Sequence, residues 1–415
     1  MPTKFFLPAL LLTALAFVGC KKEIVPETPT PISPTMEQIE DKLFSSIDKD
    51  SADTYFLYDQ GANSKYTTHK YQGCPSIGFS NNVYYAAWIS GGKGEQLGNY
   101  ITVATSTNEG ATWSRHELII TSDRDTVRHV DPMFWKDSGG ALHLSWSKSI
   151  GMWDGGQGGI WHVKIKKNSS NKIVITQPSK LFNGTINVKP SVLMKDTSTM
   201  IFPVSGWNIP NPWNGYPTIN TPREENGPKV FLSKYNLITK NVGTPVKIAR
   251  IYDTLKDRNF DEHMIVDMGN DLFQCLLRTE SGVFISKSLD AGKNWTVPVK
   301  FTQLGTTCAT RIFFGRLKSG NLLIVLNNST VRNNLKAFLS TDNGTTWPYS
   351  MLIDNRNDSS YPDIIQNSKG EICMIYDRDR AVSQDMIFKK FSESTLINNK
   401  TDQIFTSLIG SKDLL

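Results

Sequence analysis

Ser340-Thr-Asp-Asn-Gly-Thr-Thr-Trp347 decides how the chain is read. Its pattern, S-x-D-x-G-x-x-W, returns at Ser288-Leu-Asp-Ala-Gly-Lys-Asn-Trp295 and at Ser106-Thr-Asn-Glu-Gly-Ala-Thr-Trp113, where Asn108 replaces the Asp. The Asp or Asn side chain folds back on its own backbone to fix a turn. Gly supplies the positive φ the turn needs. Trp pins the turn to its neighbour with a large apolar surface. A short apolar run precedes each copy, so the string marks a repeated β-unit.

Outward from the turns, the apolar runs keep a common rhythm. The first unit carries Gly73–Gly78, Val83–Trp88 and Tyr100–Ser106. The second carries Asp131–Trp135, Ala141–Trp146 and Ile160–Ile165, with a glycine-rich loop predicted over Gly151–Gly159. The third carries Lys189–Leu193, Met200–Val204 and Val230–Ser233. The fourth carries Glu262–Asp267, Leu272–Leu277 and Gly282–Ser286. The fifth carries Arg311–Phe314, Leu322–Leu326 and Leu335–Leu339, and the sixth Tyr361–Ile365, Glu371–Tyr376 and Asp385–Phe388. Six units spaced by roughly fifty residues predict an all-β, six-bladed β-propeller. The N-terminal region is expected to complete the last blade, and a short helix is expected over Met36–Ser46.

The net charge of +6 over 415 residues is mild, and the basic residues are scattered. That pattern excludes a nucleic-acid partner. At the N-terminus, Lys4 precedes an apolar stretch, Phe5–Val18, that is too short for a membrane span. It ends at Gly19-Cys20, which resembles a bacterial lipobox and implies removal of residues 1–19 and lipidation of Cys20. Lys21 and Lys22 follow, a pattern that favours the outer membrane or cell surface. Residues 20–45, rich in Pro, Thr and Ser, read as a tether, and 46–415 as the folded domain. Cys74, Cys275, Cys308 and Cys373 lack metal-ligand spacing. They read as buried thiols, with room for one disulfide, and neither metal nor organic cofactor is expected.

In a propeller, ligands meet the innermost strands at the axis. Asp261-Glu262-His263 opens the fourth unit and Arg278 ends its second strand. Arg332 precedes the third strand of the fifth unit, Tyr361 opens the sixth, and Glu95 lies in the first glycine-rich loop. With the three turns, this order resembles the sialidase superfamily of Asp-box propellers over residues 65–395. The resemblance implies a retaining exo-glycosidase acting on a terminal acidic sugar. A carboxylate nucleophile would be repelled by the sugar's own carboxylate, so a tyrosine attacks instead. Carried over, Tyr361 is the nucleophile and Glu262 its base, while Arg278 and Arg332 grip the carboxylate through forked hydrogen bonds. An acid on a loop protonates the leaving oxygen; Glu95 and Asp131 are the candidates. The superfamily's first arginine, in an Arg-Ile-Pro element, is missing from Tyr71-Gln-Gly-Cys-Pro75. Arg128, Arg311 or Arg378 is expected to take part of its role.

The partners implied are an acidic glycan and, through Cys20, a membrane, with the protein a monomer. Two other readings stay open: a polysaccharide lyase acting on uronates, and a glycan-binding lipoprotein without catalysis. The turns, His69 and His263 read as structural. Asp377-Arg-Asp-Arg380 reads as a surface run pairing with itself. Trp153, Trp207 and Trp213 fall in loops and suit stacking on sugars.

Overall fold

A computed structural model describes residues 43–412, except 51–52, 61–64, 67–68, 93, 152–153, 183–185, 188, 193–195, 207–226, 237–240, 244–245 and 252–261. These residues belong to one compact unit, Lys42–Leu415. The fold is an all-β propeller. Its sheets are antiparallel meanders whose first strands face one another.

In the first sheet the strands run Tyr71–Ser80, Val83–Gly91, Tyr100–Ser106 and Ser114–Thr121, with Tyr55–Tyr58 on the outer edge. The second runs from Val127–Lys136 through Leu142–Ile150 and Asp154–Lys167 to Ser179–Phe182. Three four-stranded sheets begin at Met264–Gly269, Phe313–Arg316 and Ser359–Gln366. Between the second sheet and Met264–Gly269, strands from Ile186–Asn187 to Val246–Arg250 pair as a further sheet, most of whose side chains lie outside the description.

Alternation packs one face of each sheet against the next, so the core lies between sheets. Phe56, Tyr85, Phe134 and Trp146 fill the gap between the first two. Ile77, Tyr84, Trp88, Cys373 and Phe388 join the last sheet to the first. A larger cluster including Met264, Phe314, Leu323, Met351 and Ile364 unites the last three. At the axis, Asp363 accepts from Ser76 Oγ at 2.6 Å, Ile77 N at 2.8 Å and Lys189 Nζ at 2.9 Å.

The repeated turns link the third strand of a sheet to its fourth. Ser340 Oγ donates to Asp342 Oδ1 at 2.7 Å and accepts from Gly344 N at 2.8 Å, and Asp342 Oδ1 accepts from Thr346 N at 2.9 Å. The Ser288 and Ser106 turns repeat this net. In each, Gly and the residue before it have positive φ.

Three expectations need correcting. The N-terminal strand Tyr55–Tyr58 joins the first sheet, while the last sheet is completed by its own Phe405–Gly410. Glycines 155, 156, 158 and 159 belong to the strand Asp154–Lys167 and not to a loop. Of the helix expected over Met36–Ser46, residues 43–46 are not helical and the rest lie outside the described residues. The reading of Cys74, Cys275, Cys308 and Cys373 as buried free thiols holds, and no disulfide forms among them.

Candidate functional site

Three inner strands carry the same local irregularity. Each presents a residue before proline in the left-handed region: Cys74 at φ 54°, Asp131 at φ 49° and Tyr361 at φ 59°. At each the ladder slips, between Gly73 and Ser76, between Val130 and Met133, and between Ser360 and Asp363. Such bulges re-aim a side chain, and holding a bulky residue at positive φ costs about 1–3 kcal/mol. Tyr361 is 5% exposed and packs with Cys74, Tyr71 and Val130.

Arginines surround the Tyr361 ring. The guanidinium carbons of Arg380, Arg311, Arg332 and Arg278 lie 4.0, 4.7, 5.3 and 5.9 Å from its centroid. Arg278 Nη1 donates to Tyr361 Oη at 2.8 Å and to Glu262 Oε2. Arg311 holds the other side of Glu262, with Nε at 3.1 Å and Nη2 at 2.8 Å from Oε1, and Nη2 also reaches Asp131 Oδ1 at 2.7 Å. The structure therefore brings Tyr361, Glu262, Arg278, Arg311, Arg332 and Asp131 together. Glu262 and Tyr361 meet through Arg278, with no direct hydrogen bond between them among the described residues.

Glu95, in the loop after Val83–Gly91, is joined from the rim. Its Oε1 accepts from Tyr71 Oη at 3.1 Å and from Arg380 Nη1 at 3.2 Å. Arg380 is held in turn by Asp377, whose Oδ2 accepts from Arg380 Nε at 2.8 Å and from Cys74 N at 2.7 Å. The run Asp377–Arg380 does pair with itself, but inside the site: Asp377 is 0% exposed. Arg380 occupies the space beside Gly73, where a Cβ would meet its Cδ and Nε at 2.7 and 2.8 Å. Of the substitutes expected from sequence, Arg311 is at the ring, and Arg128 is buried and feels the charges of Glu95 and Asp131. Arg378 is engaged by Asp385 at 2.7 Å. Sequence reasoning missed Arg380 and Cys74. The Cys74-Pro, Asp131-Pro and Tyr361-Pro dipeptides opening three inner strands were the available signal.

Burial pushes the Tyr361 phenol up to about 12, against the pull of Arg278. Burial also acts to raise Glu262, but Arg311 and Arg278 outweigh it and hold the carboxylate below its ordinary value. Asp131 goes the other way: burial prevails over Arg311 and lifts it to about 6. For Glu95, the charges of Arg380 and Arg128 overcome desolvation and keep it low. The site thus holds a neutral phenol, an ionised buried carboxylate and a second carboxyl that titrates near neutrality. Arg332 has no hydrogen-bond acceptor among the described residues, and Arg311 Nη1 is buried without a partner. Both are donors ready for an anion. Among the described residues no group of three His, Cys, Asp or Glu could hold a metal. His69 and His263 are buried, and Trp153, Trp207 and Trp213 lie outside the described residues.

Residues 83–374 match the BNR repeat-like domain, so the chain belongs to the BNR repeat-like family. Solved structures with the same fold include Hadza microbial sialidase Hz136, at a TM-score of 0.56 and 12% identity over 83% of this chain and 69% of that one. NanB sialidase from Streptococcus pneumoniae gives 0.54 and 12%, over 82% of this chain and 71% of that one. Trypanosoma rangeli sialidase gives 0.54 and 12%, over 86% and 60%. At this identity the likeness is one of fold. No curated protein matches the chain.

Proposed function

We propose that the protein is an exo-acting, retaining glycoside hydrolase of sialidase type that removes a terminal acidic sugar from glycans. The observation that carries this reading is the shared hydrogen bonding of Arg278 Nη1 to Tyr361 Oη and Glu262 Oε2. One nitrogen sets a phenol beside an ionised carboxylate, the arrangement needed to take the phenolic proton when an anionic substrate arrives. Arg332 and the unpaired Nη1 of Arg311 receive the substrate carboxylate, with Arg380 completing the cationic wall. Tyr361 Oη forms the glycosyl bond as the leaving oxygen departs with a proton from Asp131. Asp131 is a better donor than Glu95 because burial lifts Asp131 to about 6, so it holds its proton under mildly acidic conditions in which Glu95, held low by Arg380 and Arg128, is ionised. Glu95 holds Arg380 and Tyr71 at the rim. Hadza microbial sialidase Hz136 and the NanB sialidase share this fold, which supports the substrate class.

The propeller is read as six-bladed. Inner-strand contacts run from Tyr71–Ser80 through Val127–Lys136, Ile186–Asn187, Ser191–Val192, Met264–Gly269 and Phe313–Arg316 to Ser359–Gln366, and back to Tyr71–Ser80. Residues 1–19 serve as a lipoprotein signal and Cys20 carries the lipid. Residues 20–45 then tether the domain, as a monomer, to the outer membrane or cell surface. The functional test is release of free acidic sugar from sialylated glycans by purified protein, and its loss in Tyr361→Phe. Release unchanged in that variant rejects the assignment.

A further inference from the structure

Away from the axis, on the second sheet, four side chains form one hydrogen-bonded line from the core to the surface. Asp137, just after Val127–Lys136, is wholly buried, and its Oδ1 accepts from Gly139 N at 2.9 Å and Ala141 N at 3.0 Å. Its Oδ2 lies 2.8 Å from His143 Nε2. His143 Nδ1 lies 2.9 Å from His162 Nδ1, and His162 Nε2 lies 2.7 Å from Ser179 Oγ. Trp135 stacks on His143 at 4.0 Å and 13°, which fixes the ring plane. Ser179 is exposed on the outer edge strand, and His162 is half-buried.

A carboxylate can only accept, and burial keeps both imidazoles neutral, so the line has one consistent direction. His143 Nε2 donates to Asp137, leaving Nδ1 bare. His162 Nδ1 donates to that nitrogen, leaving Nε2 bare. Ser179 Oγ therefore donates its proton to His162 Nε2. An exposed hydroxyl hydrogen-bonded to a bare imidazole nitrogen, itself oriented by a buried acid, is the arrangement that activates a serine. Burial and the neighbouring His143 hold His162 well below its ordinary value, so it stays neutral and able to accept.

We propose that Ser179 and His162 form a second catalytic site, a serine nucleophile and its base, acting on carboxylic esters whose acyl group protrudes from a larger molecule. Ser179 sits at an open edge, which admits such a group. The Ser179 Oγ–carbonyl bond forms as the ester C–O bond breaks. The serine proton passes to His162 Nε2 and from there to the departing alkoxide. Water then attacks the acyl-serine, gives a proton through the same nitrogen to Ser179 Oγ, and releases the acid. The sum is ester plus water to acid plus alcohol. His143 and Asp137 are positioning residues that fix the His162 tautomer.

The test is labelling of the full-length protein with an alkyl fluorophosphonate, with the adduct located by peptide mass spectrometry, alongside hydrolysis of 4-nitrophenyl acetate. An adduct on Ser179, absent in Ser179→Ala and slowed about 100-fold in His162→Gln, is the expected result. Nitrogen-15 spectra of the wild-type histidines are expected to show His162 protonated at Nδ1 and bare at Nε2. In Asp137→Asn that tautomer preference is expected to weaken together with the labelling rate, whether or not the melting point moves. No adduct on Ser179, an unchanged rate in His162→Gln, or a wild-type His162 protonated at Nε2 overturns the proposal.

Discussion

A Cβ on Gly73 would lie 2.7 Å from Cδ of Arg380. The absence of a side chain on the first sheet is what lets an arginine from the last sheet reach the Tyr361 ring at 4.0 Å. Gly73→Ala is therefore expected to displace Arg380 and cut kcat/KM on an acidic glycoside, with an overpacking cost of about 1–3 kcal/mol in a urea titration. Arg380→Ala should lose activity as well. The double variant Gly73→Arg with Arg380→Ala, which supplies the cation from the first sheet, should recover part of it. Double-variant activity no better than Arg380→Ala alone would show that the two positions do not share one role.

In the proposed reaction, the ionisation of Asp131 sets a pH limb of definite sign. As proton donor it acts in its protonated form, so kcat/KM should fall as pH rises through about 6. Below that the rate should hold until Glu262 protonates, under the ordinary carboxylate range. Stability follows the same group. Because the folded value lies above the unfolded value of 3.8, its contribution is present below 3.8 and lost as pH rises through about 6. Asp131→Asn should remove the descending limb, with the smallest rate loss on aryl glycosides whose leaving group needs no proton. A limb that persists in this variant would assign it to another group.

Arg311 and Arg332 separate stability from binding. Arg311 is 3% exposed and compensates both Glu262 and Asp131. Its replacement by Ala removes one of the two cations at Glu262 and the cation 2.7 Å from Asp131, and should cost about 3–5 kcal/mol by chemical denaturation. Arg332 has no hydrogen-bond acceptor among the described residues, so Arg332→Ala should leave the melting curve in place. It should weaken binding of an acidic sugar by about 2–5 kcal/mol, read as a rise in KM or in an inhibitor constant.

The fold was legible because its signals are local. Ser340, Asp342, Gly344 and Trp347 lie within one turn, and their side chains bond to one another as their spacing implies. Inner-strand positions followed from apolar runs, so Tyr361, Glu262, Arg278 and Arg311 could be named before their contacts were seen. Arg380 could not, because its role depends on a vacancy at Gly73, more than three hundred residues earlier. A charge run such as Asp377–Arg380 reads the same whether solvated or buried. The N-terminal strand was misplaced for a related reason: Tyr55–Tyr58 is an edge strand, and sequence alone does not choose between the first and last sheets.

The turns should bear on stability and not on chemistry. Gly344 has φ 81°, so Gly344→Ala should cost about 1 kcal/mol or more in stability while leaving kcat/KM unchanged. A matching fall in kcat/KM at a temperature where the variant is folded would place the turn nearer the site than its hydrogen bonds do.

In the proposed reaction Tyr361 attacks an acidic sugar. The most direct measurement is proton NMR of the products formed from a sialic acid α-glycoside by the wild type and by Tyr361→Phe. The first-formed sugar from the wild type should keep the α configuration, and none should form in the variant. An inverted first product, an unsaturated sugar acid, or equal release by Tyr361→Phe would contradict it.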